Sequence, residues 1–220
     1  MYTNNPCPHC LQASIKNGKT KNGKQRYRCK HCKKSFITNY AYRAYEVTDQ
    51  YLQKILIEGC GIRSIARILT ISLTTVLKRI RSIASKITKP PIIQNKEYEL
   101  DEICTYIKKK TRKYWIVYAL RKDTKEIIDF AIGNRTNNTL KRVTDTIILS
   151  NANRVFTDKL PNYGWLLPKE IHCTKRNGTN HIERKNLSLR THLKRLSRRT
   201  ICFSKSIGML MACLKIYFWS

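Results

Sequence analysis

The spacing of hydrophobic residues predicts a helical segment followed by a segment of strands and helices. From residue 48 to residue 87, apolar side chains recur at helical spacing, and two short turns interrupt them. We therefore predict three helices, the first capped by Thr48 and the third by Ser72. Lys89-Pro90-Pro91 then ends the helical pattern and begins a linker.

Downstream of the linker, the period becomes that of β-strands. The predicted strands cover residues 97–107, 113–121, 126–133, 154–158 and 170–174. Helices are predicted at 139–149 and from about residue 179. Three antiparallel strands, a helix, a strand and a helix-rich end form a mixed α/β layer in which a late strand joins beside the first. This order is that of a ribonuclease-H-like fold.

The second and third predicted helices have the spacing of a helix-turn-helix, a motif that places one helix in the DNA major groove. Only Thr70-Ile71-Ser72 separates them. The residues of the third helix that we expect to face outward and contact DNA are Thr74, Thr75, Lys78, Arg79 and Arg81. A plain three-helix bundle is the alternative.

The charge balance indicates the class of partner. The chain has 44 Lys and Arg against 14 Asp and Glu, which gives a formal net charge of +30. Such a chain attracts a polyanion, either nucleic acid or an acidic membrane surface. No stretch has the roughly 18 uncharged apolar residues that a membrane span needs, and the first residues lack the apolar core of a signal peptide. We therefore expect nucleic acid as the partner, and no membrane.

Four of the nine cysteines form two tight pairs within the first 45 residues, a stretch that contains no acidic residue. The pairs are Cys7-Pro8-His9-Cys10 and Cys29-Lys30-His31-Cys32. This spacing is typical of a zinc ribbon, in which four thiolates surround one structural Zn²⁺. The alternative ligand set has His9 or His31 in place of one cysteine.

Isolated carboxylates in the basic C-terminal half are candidates for a second metal site. Asp158 is the only acid between Thr146 and Lys169, and Glu183 is the only one in the last 50 residues. A lone acid ordinarily pairs with a neighbouring Lys or Arg. In a ribonuclease-H-like sheet, however, the end of the strand before Asp158, the first strand and the final helix lie close together. Their carboxylates could then converge on two Mg²⁺ ions about 3.5–4 Å apart.

The first predicted strand offers more than one carboxylate for such a site. By alternation, Glu97, Glu99 and Asp101 share one face and Glu102 points to the other, so either face could be the active one. On the final helix, Glu183 and Arg190 fall on the same face, and Arg190 could reach a phosphate beside the metal.

Longer motifs resemble the bacterial transposases of the insertion-sequence-one type over essentially the whole chain. They comprise the ribbon with Gly23–Cys29, Leu100-Asp101-Glu102, Asn134-Arg135-Thr136, Thr157-Asp158, His181–Leu187, Arg190–Leu196 and Thr200–Ser206. The resemblance implies a catalytic triad of Asp101, Asp158 and Glu183, accompanied by Arg190, with Mg²⁺ as cofactor. It also implies a homo-oligomer that acts on element ends and target DNA in the bacterial cytoplasm, in association with the nucleoid.

These patterns together predict four consecutive segments. They are a zinc ribbon at 1–45, a helix-turn-helix domain at 46–88, a linker at 89–96 and a ribonuclease-H-like catalytic domain at 97–220. The expected function is that of a DNA transposase. A non-catalytic DNA-binding repressor is the first alternative, but it leaves Asp158 and Glu183 unexplained. A nuclease on the same fold is the second, and it has less use for a helix-turn-helix. A serine or tyrosine recombinase would need a covalent nucleophile instead of isolated acids.

Overall fold

The computed structural model of the chain describes residues 5–38, 44–175 and 177–220, with the side chains of its first helix described from residue 49. The chain divides into two compact units, Met1–Val47 and Thr48–Ser220. Each is described by itself below.

The first unit contains a small antiparallel sheet of the order β1-β2-β3. Its strands are β1 (Ser14–Lys19), β2 (Gln25–Cys29) and β3 (Ser35–Phe36). Gly23 turns the chain between β1 and β2 with a φ of +75°, a conformation that glycine adopts at no steric cost. The described core of this unit is two cysteines and two aromatic rings, Tyr27 and Phe36, whose centroids lie 5.7 Å apart. So small a core is too little to hold a fold alone.

The second unit is built on a mixed five-stranded sheet of the order β6-β5-β4-β7-β8. Its strands are β4 (Glu97–Ile107), β5 (Lys109–Arg121), β6 (Ile127–Gly133), β7 (Arg154–Phe156) and β8 (His172–Cys173). The first three strands are antiparallel, whereas β7 pairs in parallel with β4. The prediction that a late strand joins beside the first is thus confirmed, as is the mixed α/β class.

Helices cover both faces of this sheet. They are α4 (Asn137–Leu149), α5 (Pro161–Leu166), α6 (Asn180–His192) and α7 (Ile207–Trp219), with a short 3₁₀ helix at Lys194–Leu196. One face packs against α4 and α5, and the other packs against α6 and α7. The short α5 was not predicted, because six residues with a proline and a glycine carry no helical period.

Three further helices precede the sheet: α1 (Ala44–Ile57), α2 (Ile62–Ile68) and α3 (Leu73–Lys86). Ser72 caps α3 as predicted, since its Oγ accepts the backbone N–H of Thr75 at 3.0 Å. The predicted cap at Thr48 is wrong because α1 already begins at Ala44, and the intervening residues include no glycine or proline to delay the helix.

The three helices share a hydrophobic core with α7. Leu52, Val76 and Ile80 pack in one cluster with Cys213 and Ile216 of the last helix. The predicted linker at 89–96 therefore joins two parts that pack together within the second unit. The division of the chain into four segments stays a prediction. None of the described helices is long and apolar enough to cross a membrane.

Candidate metal and DNA-binding sites

The two cysteine pairs of the first unit meet in one cluster. The Sγ atoms of Cys7 and Cys32 lie 3.5 Å apart, those of Cys10 and Cys29 lie 3.4 Å apart, and all four lie within 4.8 Å of one another. Tetrahedral zinc with bonds of about 2.3 Å holds its sulfurs about 3.8 Å apart. The four thiols therefore fit a zinc ion, while the exposed His9 and His31 lie outside this four-atom group.

The electrostatics of the thiols also suit a cation. The backbone N–H of Cys32 donates to Cys29 Sγ and, with the other thiols, lowers the pKa of Cys29 to about 6. The backbone N–H of Gln12 acts to lower the pKa of Cys10, but burial and the neighbouring thiols outweigh it and raise that pKa to about 12. The four thiols thus do not ionise together unaided, whereas a divalent cation would stabilise four thiolates at once.

A second cluster lies at the edge of the five-stranded sheet. Carboxylate oxygens of Asp101, Glu102 and Asp158 all lie within 4.8 Å of one another. The ladder between β4 and β7 ends at the pair Glu99 and Phe156, so the edge of β4 beside the next residues is open. Side chains from both faces of β4 can therefore reach Asp158, which stands two residues beyond the end of β7.

Asp101 is held by two hydrogen bonds at this edge. Its Oδ1 accepts the backbone N–H of Glu102 at 2.7 Å, and its Oδ2 accepts Nδ2 of Asn186 on α6 at 2.5 Å. Burial raises the pKa of Asp101 to about 6, and the charges of Glu102 and Asp158 add to the rise. A bound cation would stabilise the ionised form of this carboxyl and reduce its repulsion with the two neighbouring acids.

Glu102 points to the opposite face, as alternation predicts, but it still belongs to the cluster. It is buried, and its carboxylate accepts the hydroxyl of Tyr163 on α5 at 2.9 Å and Nη2 of Arg135 at 3.2 Å. Burial raises its pKa against the lowering effect of these two donors. Asp158 is exposed, and its Oδ1 accepts the backbone N–H of Leu160, which turns the chain into α5.

Glu183 and Arg190 lie on α6 next to this cluster. Both line an open cleft of about 510 Å³, together with Asn186, which bonds Asp101. The exposed carboxylate of Glu183 accepts the hydroxyl of Thr179 at 2.8 Å and does not belong to the group that lies within 4.8 Å. The structure therefore brings Asp101 and Asp158 together and places Glu183 one step away, beside the residue that contacts Asp101.

A buried carboxylate fixes the beginning of α6. Glu99 is 0% exposed, and its two oxygens accept the backbone N–H of Ile182 at 2.8 Å and bond Nδ1 of His181 at 2.6 Å. Glu99 shares its strand face with Asp101, as predicted, but its neighbours make it a clamp on the helix that carries Glu183.

The outward face of α3 is smaller than predicted. Thr74, Lys78 and Arg81 are exposed, and Thr75 is half-exposed. The orientation predicted for Arg79 is wrong: it is 8% exposed, and its Nη1 lies 3.3 Å from Oδ1 of Asp49 on α1. The helical spacing already indicated that Arg79 faces the core, because it is three positions from the core residue Val76 and four from Ile83.

Sequence reasoning assigned no role to three residues that the site uses. Asn186 had a usable signal, since it lies three positions from Glu183 on the same helical face. Arg135 also had one, since it lies in the motif Asn134-Arg135-Thr136, whereas Tyr163 had none, because its contact with Glu102 connects elements 61 residues apart in sequence.

The basic charge, the mixed sheet and the carboxylate cluster at its edge are those of a mixed α/β protein with a candidate metal site, and the comparison with known proteins gives its family. Residues 96–218 match the family described as IS1 transposase, so the chain belongs to the IS1 transposase family. Over 109 residues it is 38% identical to the insertion element iso-IS1n protein InsB of Shigella dysenteriae, a match that covers 50% of this chain and 83% of that protein.

Two other similarities are more distant. The insertion element IS1 protein InsB of Shigella flexneri is 35% identical over 111 residues, which cover 50% of this chain and 85% of that protein. A structure of a simian T-cell lymphotropic virus intasome with a PP2A regulatory subunit is similar with a TM-score of 0.38 and 14% identity, over 70% of this chain and 63% of that one.

Proposed function

We propose that this transposase is a DDE-type enzyme that cleaves DNA at the ends of an insertion sequence and transfers the freed strand to target DNA. Its catalytic part has a ribonuclease-H-like fold, and its triad is Asp101, Asp158 and Glu183. The observation that carries the proposal is the convergence of carboxylates from β4 and from the end of β7 at one open sheet edge, beside the cleft that Glu183 lines.

The chemistry of the donor set fits magnesium. Asp101 and Asp158 offer hard oxygen ligands within 4.8 Å of each other, as Mg²⁺ prefers. When bound, two Mg²⁺ ions would activate the attacking oxygen and stabilise the leaving oxygen of an in-line phosphodiester displacement. Glu183 is exposed and held by the hydroxyl of Thr179, so its side chain can turn toward the other two carboxylates when a cation reduces their mutual repulsion.

The residues around the triad have supporting roles in this proposal. Arg190 and Arg198 line the same cleft as Glu183 and supply positive charge for the DNA phosphates next to the reacting one. Asn186 and the backbone of residue 102 orient Asp101 through its two hydrogen bonds.

The N-terminal part of the chain recognises the element ends. Four-cysteine zinc ligation by Cys7, Cys10, Cys29 and Cys32 would hold the basic ribbon, whose described strands expose several lysines and arginines to DNA phosphates. The exposed residues of α3, chiefly Lys78 and Arg81, would contact DNA bases or backbone. Arg79 is not part of this DNA-binding face, because it is buried against Asp49.

A homo-oligomer follows from the reaction, since joining two element ends in one event requires two active sites. Its DNA substrate places the protein in the bacterial cytoplasm at the nucleoid. A repressor is the competing function, and only metal-dependent chemistry separates it from a transposase.

The test is a DNA cleavage and joining assay in Mg²⁺ on a labelled element end, with binding scored separately by gel shift. Asp101→Asn, Asp158→Asn and Glu183→Gln should each reduce nicking and joining by at least about 10³-fold, because an amide keeps the shape but loses the charge that a divalent cation needs. End binding should survive in all three. Glu170→Gln, an exposed acid outside the cluster, is the matched control.

Lys78→Ala should give the complementary result in the same assay. Binding to the element end should weaken by about 1–3 kcal/mol if Lys78 contacts a base, with the chemistry of bound DNA unchanged. Full activity of the Asp158 or Glu183 variant would contradict the proposed triad. A wild-type protein that binds element ends without any metal-dependent nicking would favour the repressor function.

A further inference from the structure

The turn at Lys108 between β4 and β5 and the first residues of β5 form a concentrated patch of positive charge. Residues 108–113, the basic hairpin tip, read Lys108-Lys109-Lys110-Thr111-Arg112-Lys113 and are all exposed. Among the described residues, none of these five cations is in an ion pair. Like charges so close together repel one another, and a solvated loop would relieve this repulsion by spreading.

The basic hairpin tip is instead held in one shape by the C-terminal part of the chain. The backbone N–H of Lys108 donates to the carbonyl of Ser204 at 2.9 Å, and Ile107 forms a parallel bridge with Ser204. The ring of Phe203 packs against that of Tyr106 with centroids 6.4 Å apart. Lys108 adopts a φ of +65°, a left-handed conformation that is uncommon for lysine and that persists only where surrounding contacts enforce it.

A bulge adds to the exposed surface of the tip. Tyr106 pairs with Lys113 and Ile107 pairs with Lys109, so the three residues between Lys109 and Lys113 have no partner on β4. Bulges of this kind are designed features that re-aim side chains, often near active sites. Preorganised cations are what a polyanion binds with the least loss of entropy.

The same anchoring segment connects the tip to the catalytic cleft. Ser204 Oγ accepts Nη1 of Arg195 at 2.7 Å, and Arg198, three residues further along, lines the cleft with Glu183. From Asp101 to Ile107, β4 advances six residues, which is about 20 Å at about 3.4 Å per residue. B-DNA rises about 3.4 Å per base pair, so this distance corresponds to about six base pairs.

We infer that the basic hairpin tip binds the phosphate backbone of target DNA, about half a helical turn from the phosphate that reacts. This inference rests on the proposed strand-transfer function. The tip contains only Lys, Arg and Thr side chains, all of which can donate to phosphate oxygens, and contacts to phosphates position DNA without reading its sequence. Sequence-independent contacts suit target DNA, whereas the element ends would be recognised by the exposed face of α3.

The test uses two double variants. The tip variant combines Lys109→Gln and Arg112→Gln. The control variant combines Lys141→Gln and Arg142→Gln, which removes two exposed neighbouring cations from α4. Joining of a pre-nicked end to a plasmid target should fall by about tenfold or more in the tip variant, and nicking and end binding should not change. Binding of an unrelated duplex, measured by fluorescence anisotropy against salt, should lose about 2 units of log–log slope, about 0.9 for each lost phosphate contact.

Each contrary result identifies its own cause. Joining and salt slope equal to wild type would overturn the inference and show a solvated loop, and an equal loss of nicking and joining would place the tip on element ends instead. A wild-type protein without joining activity would refute the proposed function. The salt slope on unrelated duplex would then still decide whether the tip binds DNA, because that measurement requires no catalysis.

Discussion

The cysteine cluster and the carboxylate cluster each gather ionisable side chains within 4.8 Å, but the chain holds them in opposite ways. In the first unit, two of the four cysteines, Cys7 and Cys29, are themselves half of the described core. In the second unit, two of the three carboxylates, Asp101 and Glu102, lie on a strand whose two faces are packed by large hydrophobic clusters.

The difference shows which comes first, the metal or the fold. The first unit buries little apolar surface besides its cysteines, so binding of a metal by the four thiols would be coupled to its folding. The five-stranded sheet has a large apolar core of its own and brings acids together at its edge, where burial, and to a lesser degree the charges of Glu102 and Asp158, raise the pKa of Asp101. A metal bound at this edge would occupy a site that the fold has already formed.

The largest effect that would sharpen this comparison is expected in the ribbon. Cys29→Ser should remove zinc and unfold the first unit, because it deletes a ligand and a core side chain together. Metal analysis should fall from one zinc per chain to nearly none, while urea unfolding of the second unit should stay the same. His31→Ala is the control, and zinc loss in that variant would instead support a histidine ligand.

A smaller effect is expected from the support of the carboxylates. Tyr163→Phe removes the hydroxyl that Glu102 accepts and leaves the packing of the ring intact. Nicking should fall about 10–100-fold and require more Mg²⁺, as is typical when an outer partner of a metal ligand is lost. The fold should persist, since the phenylalanine ring fills the same space as the ring of Tyr163 and only the hydroxyl is lost. Wild-type Mg²⁺ dependence in this variant would show that the hydrogen bond from Tyr163 to Glu102 does not support the metal site.

The smallest effect is a gain in stability. The pKa of Asp101 in the folded chain, about 6, lies above its ordinary value of 3.8. The folded state therefore binds a proton that the unfolded state releases, and the free energy of unfolding falls as the pH rises from about 4 to about 6. Asp101→Asn should be more stable than wild type above pH 6, by on the order of 1–3 kcal/mol, and equal to it below pH 4.

The measurement is urea unfolding at pH 4 and pH 8 without added divalent metal. The hydroxyl of Tyr118 donates to Oδ1 of Asn186 at 2.6 Å and lies 3.2 Å from the carbonyl of Ile182. If Asn186 reverses its amide to accept from the amide that the substitution introduces, Tyr118 can accept from Asn186 and donate to Ile182, so the new amide keeps its hydrogen bonds. Adding Mg²⁺ should stabilise wild type and not the variant. Equal stabilities at pH 8 would mean that the carboxylate cluster carries no strain.

How far the sequence predicted this molecule depends on the range of each interaction. The sheet order, the cap at Ser72 and the meeting of the cysteine pairs followed from local period and spacing. The burial of Arg79 against Asp49 was missed because polarity was given more weight than helical position. The contacts of Glu102 with Tyr163 and Arg135 could not be predicted, since they depend on where the open edge of β4 falls in three dimensions.

The core shared by the three early helices and α7 sets an order of events during synthesis. Residues 87–216 must be synthesised before α7 can cover Val76 and Ile80. At about 5–20 residues per second, that wait is roughly 6–26 seconds. During this interval, the nascent chain displays an apolar helical surface and an incompletely supported α3. Under the proposed function, an α3 that binds element ends would therefore gain its full support only when the part of the chain that carries the carboxylates has also been made.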